Sequence, residues 1–469
     1  MLSPLMAMEP RHTWSASDRF VARTVARPFQ RFMEIEAAGG AVMMLAAVVA
    51  LLWANSPWHA AYETLFETHL DISLGHLAHV DLTLRDWIND GLMAIFFFVV
   101  GLEIKRELVL GELRDPRAAA LPAIAALGGM VVPALIYASL NAGGPGSKGW
   151  GIPMATDIAF AVGVVSLLGR RIPSGAKLFL LTLAIVDDLG AIIVIAVFYT
   201  SDLSFGWLAL ALAAVGTAAW LTRIYVRAEI PYILLGAFCW FALHESGVHA
   251  TLAGVAFGLV CPAWSFYDPA RFVSRARTMV DRIADTFADG KVTHQEHDAN
   301  VGGLQQLATL AKETQSPLDR NAARLAPWVG FAIVPVFALA NAGVELGGAR
   351  FGSIAAGVAA GLVIGKTVGV FGATWLAVRL GIGRLPSLTG WSHMFGLAIC
   401  AGIGFTVALF VAGLSFDSRA LNDEAKIGIL AASLVAGVAG YLWLRLAARP
   451  VGAGAGVAED GAEPVGHGR

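Results

Sequence analysis

The chain has 469 residues, of which 57% are hydrophobic and only 14% charged, with a formal net charge of −2. That composition is too apolar for a soluble globular protein and marks a polytopic membrane protein. The balanced charge, with basic residues set between apolar segments rather than in a run, excludes nucleic-acid binding.

Residues 1–34 carry Arg11, Arg19, Arg23, Arg27 and Arg31 but no apolar core leading to a small-residue cleavage site, so no cleavable signal peptide is expected. Phe20, Val21, Phe29 and Phe32 among those arginines suggest a short basic helix on the membrane face, with disorder the alternative for residues 1–15. A spanning helix needs about 20 apolar residues. Twelve candidate segments stand at roughly 36–55, 87–108, 117–139, 150–169, 177–199, 204–222, 230–244, 247–263, 327–344, 352–380, 390–414 and 423–446, the seventh and eighth short and joined by the tight stretch Glu245-Ser246-Gly247.

Two connections are long. Residues 56–86 hold the alternating runs Leu70-Asp71-Ile72-Ser73-Leu74 and Val80-Asp81-Leu82-Thr83-Leu84 around Gly75-His76, the period-two pattern of a hairpin that could pair edges with a second copy. Residues 264–326 are polar and charged, a helical or disordered cytoplasmic insertion without a catalytic constellation. The Gly- and Ala-rich tail at 448–469 reads as disordered. Cys239, Cys261 and Cys400 lie inside apolar stretches without metal-ligand spacing and read as packing residues.

Basic residues set the orientation, since Lys and Arg favour the cytoplasmic side. With the N-terminus inside, only Arg85, Lys148, Arg350, Arg419 and Lys426 fall on the outer side, and both termini are cytoplasmic. Lys366 alone among basic residues is left within the membrane.

The chemistry is concentrated between Trp150 and Phe198, where Thr156-Asp157 and the pair Asp187-Asp188 sit inside apolar segments. An Asp at the centre of a spanning helix costs about 2.5–3.5 kcal/mol, so partners, water or function must offset it. Neighbouring residues on a helix point about 100° apart, so Asp187 and Asp188 cannot face one small ligand equally. One binds while the other finds a partner, and Lys366, in Ile364-Gly365-Lys366-Thr367, is the available one. A hard cation such as Na⁺ or Li⁺ wants oxygen ligands, which carboxylates, Thr hydroxyls and unwound carbonyls supply. The same carboxylates cannot hold protons and the metal ion together, so competition with alternating access suffices for antiport.

The fourth segment, with Pro153 ahead of Thr156-Asp157, and the eleventh, with Gly402-Ile403-Gly404-Phe405-Thr406, look interrupted. Such breaks in corresponding positions point to an inverted-repeat transporter built on segments three to five and ten to twelve. Glycines that merely permit close helix packing are the alternative. Glu103, Lys105, Arg106 and Glu107 read either as a solvated helix end or as a charged cluster sensing pH, and His249 either as a packing histidine or as a proton carrier grouped with them in the pH response. An aspartyl protease would need Tyr-Asp and Gly-x-Gly-Asp, and neither motif occurs at these aspartates. A sodium-coupled organic-anion symporter on a similar framework and a passive sodium channel are the other transport readings.

Five motifs occur in the order of a known family: Gly101-Leu102-Glu103-Ile104-Lys105-Arg106-Glu107, Ala155-Thr156-Asp157-Ile158-Ala159-Phe160, Ile185-Val186-Asp187-Asp188-Leu189-Gly190-Ala191, Gly247-Val248-His249-Ala250-Thr251-Leu252-Ala253-Gly254 and Gly402-Ile403-Gly404-Phe405-Thr406. Over about residues 30–263 and 317–447 the chain resembles the NhaA-type Na⁺/H⁺ antiporters. The resemblance implies an all-α, twelve-helix fold with inverted repeats and two crossed, interrupted helices. It implies electrogenic exchange of Na⁺ or Li⁺ for more protons, in the inner membrane of a bacterium, by a homodimer without a cofactor. It also implies Asp188 as the principal cation and proton ligand, with Asp187 beside it and coupled to Lys366, and Thr156 next to the site. Asp157 and Lys366 would balance opposite helix ends at the crossing, and Glu103, Arg106 and Glu107 match the family's pH-response region. One departure stands out. Where better-known members have acidic and histidine residues at the start of the ninth helix, this chain reads Arg320-Asn321-Ala322-Ala323-Arg324-Leu325-Ala326.

Overall fold

The computed structural model describes residues 38–74, 78–200, 203–265, 267–286, 294–345, 347 and 351–446. The expected basic N-terminal helix, the Gly75-His76 turn and the C-terminal tail lie outside the described residues.

The described chain is mostly helical, with one two-stranded sheet. In order it forms α1 (Ala38–Ala54), α2 (His59–Phe66), β1 (His69–Leu74), β2 (Ala78–Thr83), α3 (Leu84–Val109) and α4 (Pro116–Asn141). A 3₁₀ stretch, Ser147–Met154, then leads through three non-helical residues into α5 (Ile158–Ser166), followed by α6 (Ser174–Phe198), α7 (Phe205–Arg223), α8 (Glu229–Glu245) and α9 (Leu252–Val260). The remainder is α10 (Pro269–Thr286), α11 (His294–Thr314), α12 (Pro317–Asn341), α13 (Ser353–Arg379), α14 (Trp391–Cys400), α15 (Phe405–Ser415) and α16 (Arg419–Leu446).

Among the described residues 8 helices are long and apolar enough to cross a membrane, or up to 10 if each sharply bent pair counts as one span. The expectation was twelve. The difference falls on four segments: α1 and α8, with 17 residues each, α9 with 9, and the eleventh, divided into α14 and α15 with a 42° bend between them. Short or divided helices fail a test of uninterrupted length, although helix stands at each expected place.

The hairpin has the alternation read from its sequence, with Leu70 opposite Leu82 and Ile72 opposite Val80. Leu70 and Ile72 remain 45% and 52% exposed, an uncovered apolar edge. Thr83 then turns the chain into α3 through a capping box. Its hydroxyl accepts from the Asp86 N–H, while the Asp86 carboxylate accepts from the Thr83 N–H.

The chain divides into two compact units. The first comprises residues up to Asn89, Arg117–Ile195 and Gly330 onward; the second comprises Asp90–Pro116 and Ala196–Val329. Both pack through small residues, as membrane helices do where no solvent drives them together. In the first, Gly428 of α16 lies against the Ala355 backbone of α13, and Gly440 against Cys400 of α14. In the second, Gly254 of α9 meets Ala94 and Phe98 of α3, and Gly258 meets Phe98 and Gly101. Contacts that advance together along both chains make α3 and α9 parallel.

Of the two readings of the insertion, the structure supports the helical one over its described residues. It forms α10, α11 and the start of α12, whose N-terminus Ser316 caps by accepting from the Asp319 N–H, with Pro317 in the first turn. Glu229, at the first residue of α8, is ringed by Lys312, Arg320 and Arg324 at 3.4, 3.7 and 3.3 Å. Partial burial pushes its carboxyl up, but Lys312 foremost and then the arginines outweigh that and hold it below the usual glutamate range. A depressed pKa contributes stability above the unfolded value of about 4.3, lost as pH falls through the folded value. Glu229→Gln is therefore expected to cost no more than about 1 kcal/mol at pH 7, because the pairs are partly exposed, and nothing well below pH 4. Thermal unfolding of wild type and variant at the two pH values would read the difference.

Candidate functional site

Pro153 cannot donate a backbone hydrogen bond, and its 3₁₀ stretch ends one residue later. Ala155, Thr156 and Asp157 follow without helical structure, as do residues 403–404 between α14 and α15. Unwound backbone in a membrane must satisfy itself within the protein. The two breaks do so against each other: Asp157 N–H donates to the Ile403 carbonyl at 2.7 Å.

Asp157 sits where two helices begin. Its Oδ1 accepts from the Phe160 N–H at 3.0 Å, capping α5, and its Oδ2 accepts from the Thr406 N–H at 3.0 Å and the Thr406 hydroxyl at 2.7 Å, capping α15. Helix N-termini carry partial positive charge, so one buried carboxylate answers two of them. Replacing Thr406 by Val keeps shape and backbone but deletes the hydroxyl donor. A lost hydrogen bond to a charged group costs about 1.5–3 kcal/mol, which is the expected fall in stability, whereas Thr406→Ser is expected to stay near wild type. Thermal midpoints of the two variants make the comparison.

A side chain of α6, Asp187, meets the first of these breaks. Thr156 Oγ1 lies 2.7 Å from Asp187 Oδ2 and 2.9 Å from the Ala401 carbonyl, so its single proton is shared between them. Lys366 of α13 donates directly to the same Asp187 oxygen, and neither residue of this pair has any exposed surface. Asp187 Oδ1 has no hydrogen-bond partner among the described residues. Asp188 is buried next to it on the following α6 position. Thus Asp157, Thr156, Asp187, Asp188, Lys366 and Thr406 come together in the first unit.

Gly402 and Gly404 are needed for close approach. A Cβ on Gly402 would stand 2.5 Å from the Leu362 carbonyl of α13, and one on Gly404 2.8 Å from the Leu362 side chain. Phe405 packs its ring near Phe160, 6.5 Å between centroids. Sequence reasoning missed Leu362, the Ile403 and Ala401 carbonyls, and the pairing of Asp157 with Thr406. Only the glycines on either side of Ile403 hinted that another backbone presses there.

The residues singled out for pH response lie in the second unit and do not form one cluster. Arg106 pairs with Asp319 of α12, and Glu107 Oε2 accepts from the Glu112 N–H at 3.0 Å, near the C-terminal end of α3. His249 bonds the Tyr199 carbonyl at 2.8 Å. Because α9 runs parallel to α3 and His249 precedes Gly254, which packs at Ala94, His249 belongs to the other end of α3 from Glu103, Arg106 and Glu107. Asp319 was not anticipated as a partner. A separate cavity of about 230 Å³ in the first unit, lined by Glu63, Glu67, Arg85, Arg419, Asp423 and Lys426 among others, includes none of the site residues.

Residues 30–444 match the family model described as Na⁺/H⁺ antiporter 1. The chain is 47% identical over 430 residues to the Na(+)/H(+) antiporter NhaA of Anaeromyxobacter sp., covering 91% of this chain and 92% of that protein. It is 48% identical over 421 residues to the Na(+)/H(+) antiporter NhaA of Rhodopirellula baltica, covering 89% and 94%. With the Na(+)/H(+) antiporter NhaA 2 of Sorangium cellulosum it shares 44% identity over 455 residues, 95% of each.

Proposed function

The chain belongs to the Na⁺/H⁺ antiporter family, and from that premise we propose how its buried carboxylates exchange the two ions. It is a multi-pass membrane transporter of Na⁺ and H⁺, not an enzyme, which sets aside the aspartyl protease, organic-anion symporter and channel readings.

Asp188 takes the cation or a proton in turn, and Asp187 offers its second oxygen to the same ion while its first stays with Lys366 and Thr156. The observation that carries this reading is the fully buried Lys366–Asp187 pair, held with Thr156 against the two unwound breaks. Asp187 thereby has its charge balanced inside the protein, and Asp188, buried at the next position of α6, is the carboxylate assigned to the transported charge. Unwound carbonyls at the breaks add oxygen ligands suited to Na⁺ and Li⁺. More than one titratable group meets the ion, so each cycle carries more protons than sodium ions and is electrogenic. Asp157 balances the two helix starts, and Lys366 the opposing carbonyl ends of the 3₁₀ stretch and α14. In this reading the two breaks belong to interrupted fourth and eleventh helices of a twelve-helix fold with inverted repeats.

The transport core is residues 35–263 and 327–447, in a bacterial inner membrane with both termini cytoplasmic. The N-terminal extension and the insertion at 264–326 lie outside it. Glu103, Arg106 and Glu107 serve pH regulation at the inner end of α3, with Asp319 as the partner of Arg106, while His249 acts apart from them. A homodimer forms through the 56–86 hairpin. Exchange expels cytoplasmic sodium and serves sodium and pH homeostasis.

The test is reconstitution in sealed vesicles with an acid interior, adding Na⁺, Li⁺ or K⁺ outside and following internal pH from pH 6.5 to 9. Sodium- and lithium-dependent alkalinisation supports the reading. No cation-dependent proton movement at any pH would sink it.

A further inference from the structure

Helix α13 changes its winding once, immediately before Lys366. Gly361–Gly365 form a π-turn, closed by the Lys366 N–H donating to the Gly361 carbonyl five residues back. Such a turn holds one residue more than an α-turn, and π-turns recur at functional sites.

The glycines of α13 explain what the extra residue does. Four of its five glycines stand at every fourth position, and three of those four have their tightest contact on α4: Gly357 at Asn141 and Tyr137, Gly365 at Pro133, Gly369 at Gly128. Gly361 lies between the Pro133 carbonyl and Pro153. A Cβ on Gly365 would lie 2.7 Å from the Pro133 Cα, and one on Gly361 2.7 Å from the Pro153 side chain. At 100° per residue, an unbroken α-helix would leave Gly369 about 120° around from Gly357, off α4. Absorbing one residue in the turn removes about 100° of that, leaving about 20°. The ladder therefore stays on one face. Lys366, the next residue after the turn, then passes Gly129, with its Cδ and Nζ 3.7 and 3.8 Å from where a Cβ there would be, and reaches Asp187.

We infer that the π-turn Gly361–Gly365 is the positioning element for Lys366: by absorbing one extra residue it keeps the rotation that lays the ammonium on Asp187, and Gly365 seats the turn on Pro133. What the pair does rests on the antiporter reading; the register does not. Before the turn α13 is anchored through Gly357, and after it through Gly369, so only the residues between can change their rotation without moving either anchor.

Two single-residue deletions separate the possibilities. Ile364 is 57% exposed, so removing it sacrifices little packing. Deleting it lets the turn close as an α-turn with Lys366 and Gly369 where they were. Deleting Val368 also lets the turn close and keeps Gly369 in place, but it rotates Lys366 by about 100°, away from Asp187. The expected result is a thermal midpoint near wild type and exchange within about threefold for the Ile364 deletion, against a lower midpoint and at least about tenfold less exchange for the Val368 deletion, because a broken buried pair destabilises. An Ile364 deletion that fails to fold or to transport beside an active wild type overturns the inference, as does a Val368 deletion matching wild type.

If the Val368 deletion does not fold, Gly365→Ala decides. Its Cβ pushes the turn off Pro133 and is expected to move the activity–pH curve by about half a unit or more, since an ammonium beside a carboxylate favours its charged form. An unchanged curve in a folded variant refutes the positioning role. A wild type without exchange refutes the antiporter reading instead, and the thermal midpoints of the two deletions still decide the register.

Discussion

Replacing Asp188 by Asn is expected to abolish sodium-dependent proton movement. The amide keeps the size and one oxygen of the carboxylate but can neither release a proton nor balance a cation in a buried site. Interactions with a charged partner are worth about 1.5–3 kcal/mol, so Na⁺ affinity should fall at least about tenfold. With the titratable group gone, even bound sodium would no longer displace a proton. Internal pH in sealed vesicles reads both effects, and a variant that still alkalinises the interior on adding Na⁺ would move the central role to another carboxylate. Asp188→Asn is not expected to unfold the protein, because the amide matches the carboxylate in size and is less costly to bury than a charge.

The opposite holds for Lys366→Ala, which is expected to give the largest loss of stability. Asp187 and Lys366 are both without exposed surface and share one short contact. Removing one partner of a buried pair costs about 3–5 kcal/mol, because an uncompensated charge is left behind. Replacing both by neutral residues of similar volume is often harmless. The double variant Asp187→Asn with Lys366→Met should therefore recover most of the thermal stability lost by Lys366→Ala. If the single variant melts with wild type, the pair is not what holds α6 to α13. Transport and stability part company here: the double variant is expected to fold well and exchange poorly, since Asp187 Oδ1 is then no longer a carboxylate oxygen available to the ion.

Much of this was legible in the amino-acid order because the membrane makes local errors expensive. Asp157, Asp187, Asp188 and Lys366 stood out because charged groups in apolar segments need offsetting, and the structure brings them together. Pro153 and the glycines at 402 and 404 marked the breaks, since each signals local geometry directly. The strands flanking Gly75-His76 followed from period-two alternation. Other features had no such signal. The Arg106–Asp319 pair joins residues 213 positions apart, and nothing in either neighbourhood names the other. His249 was grouped with Glu103, Arg106 and Glu107 on chemistry alone, whereas the parallel packing of α3 and α9 separates them.

By itself the sequence determined the solvent of this protein, the places of its helices and which side chains needed partners, because hydropathy and the cost of buried charge act over a few residues. The tertiary structure decided the pairings: that Lys366 and Thr156 share one oxygen of Asp187, which carbonyls and hydroxyls close the two breaks, and how α13 is wound to bring the lysine there. Those choices depend on rotation. A one-residue change of register turns a side chain through about 100° while leaving the apolar pattern almost intact. Only contact with α4, α6 and the unwound segments selects one rotation from the others.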